Sequence, residues 1–298
     1  MGTHIAVLVN PSAGKGRAAR AAELALRRLR ADGAEIREYS GDSAEETRRL
    51  AIVALAARPA ALVVVGGDGT ASGVLDLLCE SGVATVFVPA GTGNDVARAL
   101  GVPLDDPRRA ASAALTGSPR RIDVGEVRCA GSSRLFLTVA ALGFDAKVSA
   151  RTDRLRWPRG RLRYYLALLA ELARLAPMAF RISIDGEPAR ELPGTLIAVG
   201  NTASYGGGMP VCAGAALDDG VLDVVRVDPL GRLRLLTLFP SLLAGRHLNL
   251  DAVSHRQARS VVVSEPGLVV YADGERVAEG ECAIAVRPAS LLVMVPRS

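Results

Sequence analysis

Short unbroken apolar runs alternate with longer amphipathic stretches through the first third of the chain. HIAVLVN (4–10), EIREYS (35–40), ALVVV (61–65) and ATVFVPA (84–90) have the length of strands. Between them GRAARAAELALRRLRADGA (16–34), SAEETRRLAIVALAARP (43–59) and TASGVLDLLCES (70–81) carry helical spacing, and NDVARALG (94–101) and DDPRRAASAALTG (105–117) follow as shorter helices. Ser43 with Glu46 three positions on makes a capping box, and Pro107 stands where a first helical turn accepts proline. Continuous apolar strands separated by helices predict a parallel sheet covered on both faces.

The rhythm changes near Arg121. RRIDVGEVRCAG, SRLFLTVAALGF, FRISIDGEP, GTLIAVGN, GVLDVVRV, SVVVSEP and GLVVYADGERV read as short strands between Gly- or Asp-Gly-rich turns. RGRLRYYLALLAELARLAP (159–177) and GRLRLLTLFPSLLAGRH (231–247) interrupt them as helices. The expectation is an α/β domain over 1–122 and a β-rich domain over 123–298, with the last strand free to return to the first domain.

Three strands of the first domain end in loops suited to phosphate. VVVGGDGTAS places Gly66, Gly67, Asp68, Gly69 and Thr70 between a strand and a helix. Here glycines admit close approach and positive φ, and the helix N-terminus offers free N–H groups. Asp68 repels a bare phosphate, which points to a cation, Mg²⁺, carried by a nucleotide; the plainer alternative is a tight turn with a solvated aspartate. VPAGTGND repeats the design with Gly91, Thr92, Asn94 and Asp95, whose polar side chains can bind phosphate, magnesium or each other. NPSAGKG supplies Asn10, Ser12 and Lys15, a point charge for a phosphate.

Composition narrows the partners. The 298 residues are 49% hydrophobic but only 4% aromatic, so the core must be built from Ala, Val and Leu. The net charge of +5 rests on arginine and suits an anionic nucleotide or acidic lipid; without a long basic run, nucleic acid is not expected. Cys79, Cys129, Cys212 and Cys282 show no paired spacing and read as free thiols of a cytosolic protein, and the three histidines show no metal spacing. No leader pattern and no spanning apolar stretch is read. The segment 151–177 gathers Arg151, Arg154, Arg156, Arg159, Arg161 and Arg163 ahead of an aromatic, apolar face, which fits either an anionic bilayer or a plain cover over a sheet.

VNPSAGKG, GGDGT and GTGND in this order resemble the diacylglycerol kinase catalytic domain family, which takes in sphingosine and ceramide kinases. The resemblance continues through YGGGMPVCAGAALDDGVLDVV and the late DGE. It implies a phosphofructokinase- or NAD-kinase-like, Rossmann-like α/β domain, a β-sandwich domain, and ATP with Mg²⁺ in the cleft between them. By it Gly66 to Thr70 and Thr92 line the nucleotide phosphates, Ser40 replaces a nucleotide-contacting Thr, and Asp95 and Arg98 lie near the transferred phosphate. A structural Mg²⁺ falls to Asp219 and the carbonyls of Ala216 and Val221; some relatives have an acid where this chain has Ala216. Glu275 is the expected proton acceptor, with Asp273 second, while Asp185 and Glu187 read as a hairpin. The expected acceptor is diacylglycerol or a related lipid alcohol, met at the cytoplasmic periphery of an anionic membrane, with a homodimer as the oligomer to consider. An NAD kinase or a non-catalytic nucleotide- or lipid-binding module are the alternatives.

Overall fold

The computed structural model describes residues 3–155, 157, 166, 167, 170, 171 and 178–297. The Arg-rich helix expected over 159–177 lies largely outside the described residues.

The first lobe opens with β1 (Ile5–Val9), α1 (Arg17–Ala31), β2 (Ile36–Ser40), α2 (Ala44–Ala56) and β3 (Ala61–Gly66). It continues with α3 (Asp68–Gly73), α4 (Leu75–Ser81), β4 (Ala84–Pro89), α5 (Asp95–Ala99) and α6 (Pro107–Thr116). β1 and β3 are buried at every position, as strands covered on both faces must be. Ser43 caps α2 by accepting the Glu46 N–H, while Glu46 accepts from Asp42, one residue earlier than a capping box requires. Pro107 is at the start of α6 behind the Asp106 cap. The single helix expected over 70–81 is two, broken where Val74 leaves helical geometry after Gly73.

The parallel order β2-β1-β3-β4 has a physical consequence. Connections leave β1 toward β2 and return to β3 on its other side, so right-handed crossovers put α1 and α2 on opposite faces. The loops after β1 and β3 therefore diverge and open a crevice at the carboxyl ends of these strands.

The chain then runs through β5 (Ser118–Cys129), β6 (Ser132–Phe136), β7 (Val139–Gly143), α7 (Phe144–Arg154), β8 (Met178–Ile184), β9 (Arg190–Gly194) and β10 (Leu196–Gly200). It ends with β11 (Leu222–Val227), α8 (Arg232–Leu243), β12 (Val253–Ala258), β13 (Ser260–Ser264), β14 (Val269–Ala272), β15 (Glu275–Glu279) and β16 (Cys282–Val295). Among the described residues β12-β11-β10-β7-β14-β15 form one sheet, and β16, β13, β8, β9, β5 and β6 extend the parallel sheet of the first lobe. Phe136, Phe180, Leu142, Ile197 and Val270 fill the space between the two sheets, making a β-sandwich. The run 133–144, expected as one strand, is β6 and β7, which part into different sheets.

The long strand β16 joins both lobes. Its first half pairs with β13 and β5; after an irregularity between Arg287 and Leu291 it pairs with β5 again and, at Val293, with Thr85 of β4. Leu291 and Val293 are thereby buried in the core of the first lobe. The expected free thiols hold for Cys79 and Cys212, but Cys129 and Cys282 form a disulfide. They stand opposite each other on β5 and β16 with Cα atoms 4.4 Å apart. Their separation of 153 residues left no spacing to read.

Buried Asp123 in β5 ties three segments together. Its N–H donates to the Leu217 carbonyl (2.6 Å), and its carboxylate accepts from Gly220 N (2.7 Å) and Ala289 N (2.7 Å). Asp123→Ala leaves two backbone donors unpaired and is expected to cost roughly 2–4 kcal/mol, read as a lower midpoint in urea unfolding.

Candidate active site

The three glycine-rich loops meet beyond the carboxyl ends of β1, β3 and β4, and glycine is what lets them meet. A Cβ on Gly67 would lie 2.8 Å from the Gly91 Cα, and one on Gly14 would lie 1.9 Å from the Ala90 carbonyl oxygen. A Cβ on Gly66 would strike the Thr70 side chain. Gly66, Gly67 and Gly69 do not adopt positive φ, contrary to expectation; in this cluster Gly14 and Gly16 do. The glycines at 14, 67 and 91 thus serve contact between loops.

Arg17, which no motif signalled, fastens the first loop to the third. Its Nε donates to the Gly14 carbonyl (3.0 Å) and its Nη2 to the Gly91 carbonyl (2.8 Å). Asn94, in the left-handed region at φ 57°, closes its own loop through Gly91 N–H to Oδ1 (2.8 Å). Ser12 donates to Asn10 Oδ1 at 2.7 Å.

A cavity of about 360 Å³ opens between these loops. Of the expected residues, Asn10, Gly67, Asp68, Gly69, Thr70, Gly91, Thr92 and Glu275 line it. Lys15 is exposed in its turn at φ 60°, Ser40 is exposed at the end of β2, and neither is in the wall. A larger cavity of about 580 Å³ adjoins it, sharing Gly73 and Glu275. The Arg48–Asp76 ion pair lines this second space, with nitrogen–oxygen distances of 2.6 and 2.5 Å that hold the Asp76 carboxyl below the usual carboxylate range.

Asp68, Asp95 and Asp273 converge on the site but differ in how they are satisfied. Asp95 is buried, and its oxygens accept from Gly207 N (2.7 Å), Gly208 N (2.7 Å) and Ser204 Oγ (3.2 Å) of the second lobe. Its acceptor capacity thus goes to Ser204 and the YGGG turn. Arg98 leans on the same place, 3.8 Å from Asp95 Oδ1 and 3.3 Å from the Gly93 carbonyl. Asp273 accepts from Leu137 N (2.9 Å), Thr138 N (2.7 Å) and Thr138 Oγ1 (2.6 Å). Glu275 is half-exposed, and its Oε2 accepts from Arg134 Nη2 at 2.8 Å.

Asp68 accepts the Val96 N–H at 3.2 Å and has no cationic partner among the described residues. Burial, then the nearby Asp95 and Asp273 carboxylates, push it up to about 6 from 3.8, against the lowering effect of the Val96 N–H. A magnesium ion brought with phosphates fits this carboxylate, because a cation needs only one or two protein oxygens when phosphates and water supply the rest. The described residues form no cluster of three acids, histidines or cysteines that would cage a metal unaided.

The second expected metal position, Ala216, Asp219 and Val221, forms a turn. Asp219 accepts from Val221 N (3.2 Å) and Gln257 Nε2 (3.4 Å), while Asp218 pairs with Arg120 and Gly220 hangs on Asp123. One carboxylate and carbonyl oxygens are hard donors of the type Mg²⁺ accepts.

The raised Asp68 value carries a stability consequence. The folded chain holds this proton more tightly than the unfolded chain, so the associated stability is complete below about pH 4 and lost as pH rises through about 6. Asp68→Asn keeps an acceptor for Val96 and removes the charge. It is expected to raise the melting temperature by a few degrees at neutral pH, with the gain vanishing near pH 4; calorimetry across that range checks it.

Comparison with known proteins agrees with this geometry. Residues 4–127 match the family model for the diacylglycerol kinase catalytic domain, and residues 138–295 match the YegS C-terminal NAD kinase beta sandwich-like domain. A diacylglycerol kinase of Mycobacterium tuberculosis (strain H37Rv) is 42% identical over 98% of this chain and 95% of its own length. A probable lipid kinase YegS-like of Pseudomonas aeruginosa (strain PAO1) is 36% identical over 84% of this chain and 82% of its own. In fold, the chain resembles a diacylglycerol kinase from Bacillus anthracis (TM-score 0.70, 20% identity, 98% and 97% covered). It also resembles an NAD kinase from Archaeoglobus fulgidus solved with ATP (TM-score 0.53, 14% identity, 100% and 94% covered). On the matches that span nearly its whole length, the chain belongs to the diacylglycerol kinase catalytic domain family and is a lipid kinase.

Proposed function

We propose that this lipid kinase transfers the γ-phosphoryl group of Mg-ATP to the hydroxyl of diacylglycerol or a related lipid alcohol, at the cytoplasmic periphery of a membrane. The observation that carries the reading is the convergence of three backbone loops and Glu275 on one cavity. Phosphoryl transfer needs position, cationic charge and a proton acceptor more than covalent chemistry. Backbone N–H groups of Gly67–Gly69 and of Thr92 and Gly93 hold the phosphates, and Asn10 and Thr92 add side-chain donors. Asp68 would hold a magnesium ion carried with the nucleotide, which would supply positive charge to the phosphates; Asp219 with the Ala216 and Val221 carbonyls would hold a structural ion.

Glu275 stands at the wall shared by the two cavities, so a lipid hydroxyl in the larger one can reach a phosphate in the smaller one past its carboxylate. Arg134 orients it through one oxygen, and among the described residues the other accepts no hydrogen bond. Asp273 is a poorer base because three donors occupy its oxygens. Its role is to hold Leu137 and Thr138 beside the β14–β15 turn that presents Glu275.

Glu275→Gln is expected to lower kcat about 10²–10⁴-fold with little change in ATP affinity. Asp273→Asn should lose stability together with activity, because it weakens three hydrogen bonds at once. Transfer of label from ATP to diacylglycerol in mixed micelles, with NAD as the competing acceptor, measures turnover. Phosphorylated NAD with unlabelled lipid would overturn the acceptor assignment, and full turnover by Glu275→Gln would overturn the base.

A further inference from the structure

Helix α8 covers the outer face of the six-stranded sheet and is unusual in what it shows to solvent. Leu235 and Leu238 are buried against Phe144 and Val148 of α7 and Val225 and Val227 of β11. The opposite stripe, Leu233, Thr237, Pro240, Leu243 and, just past the helix end, Ala244, is exposed. Leu233 is 80% exposed and Leu243 56%. A surface helix ordinarily turns charge to water on that side. This stripe has none, and the segment 231–247 contains no acidic residue. Its charges are exposed arginines at the ends, Arg232 and Arg234 at the start and Arg246 beyond the last turn, and none forms an ion pair among the described residues.

An apolar stripe bounded by unpaired cations has the chemistry of a helix lying on an anionic bilayer, with leucines below the headgroups and guanidinium groups among the phosphates. We propose that α8 is a docking element of this protein for anionic lipid surfaces. The proposal rests on the lipid-kinase assignment only for its purpose; the surface chemistry stands without it.

The helix is anchored at its end. The end of α8 is held to the segment 210–213: a Cβ on Gly245 would touch Pro210 and Ala213, and His247 Nε2 bonds the Val211 carbonyl at 2.8 Å. The same segment begins at the Gly207–Gly208 turn clamped on Asp95. The end of α8 is thereby tied, through residues 208–213, to the turn that Asp95 holds.

The test is co-sedimentation of the full chain with phosphatidylcholine vesicles, with and without a one-third share of phosphatidylglycerol, in the absence of nucleotide. Leu233→Glu is expected to weaken partitioning at least tenfold on both vesicle types. Arg232→Gln with Arg234→Gln should weaken it roughly thirtyfold on the anionic vesicles alone, with the difference shrinking at high salt. Turnover on a short-chain, water-dispersed diacylglycerol should stay at the parent level in both variants. Unchanged partitioning of both variants overturns the proposal. So does conversion of a dimer to a monomer by Leu233→Glu with vesicle binding intact, which would assign the stripe to a second copy of the chain. Absence of lipid turnover in the parent protein would overturn the kinase reading while leaving a variant-sensitive vesicle binding in place, so the two failures are distinct.

Discussion

On the side of the glycine-rich loops the two lobes are fastened by a buried carboxylate. Asp95 begins α5 in the first lobe, and its oxygens accept the N–H groups of Gly207 and Gly208 and the Ser204 hydroxyl from the second. Hydrogen bonds to an ionised acceptor are about twice as strong as neutral ones, and here two come from backbone in a turn whose glycines at 206, 207 and 208 all have positive φ. The turn can take that shape because it has no side chains to obstruct it. Once Asp95 is fixed, α5 is fixed, and with it the Val96 N–H that Asp68 accepts. The phosphate cradle is in this sense built against the second lobe.

The same arrangement crowds negative charge. Asp95 and Asp273 are compensated by backbone donors, leaving Asp68 as the carboxylate whose ionisation is opposed by burial and by its two neighbours. A site organised for phosphate would be expected to carry surplus positive charge. This one has a deficit at Asp68, where burial and the Asp95 and Asp273 carboxylates oppose the charge.

Much of this was legible in the sequence, and what was not has a common cause. The parallel sheet could be read from unbroken apolar runs because burial on both faces leaves no alternation, and the three loops because glycine beside strand ends is a local signal. The purpose of the glycines was not legible: Gly67 and Gly91 answer to each other across 24 positions. Arg17, Asp123 and the Cys129–Cys282 pair were invisible for the same reason, since each acts on partners distant in the chain. Asp95 and Asp273 were found as residues, but nothing near them in sequence shows which backbone donors their oxygens accept. The break at Val74 and the parting of β6 from β7 are tertiary choices imposed on segments whose local pattern is continuous.

The route of β16 sets the order in which the molecule can form. Leu291 and Val293 close the core that β1, β3 and β4 begin. During synthesis the first lobe emerges complete in its loops but lacks a neighbour on the outer edge of β4 until the second half of β16 has been made. Throughout that interval the edge of a buried, apolar strand stands open, the kind of surface on which nascent chains associate. Removing the second half of β16 would reopen that edge and take Leu291 and Val293 out of the core, so a segment remote from the glycine-rich loops closes the lobe that carries them.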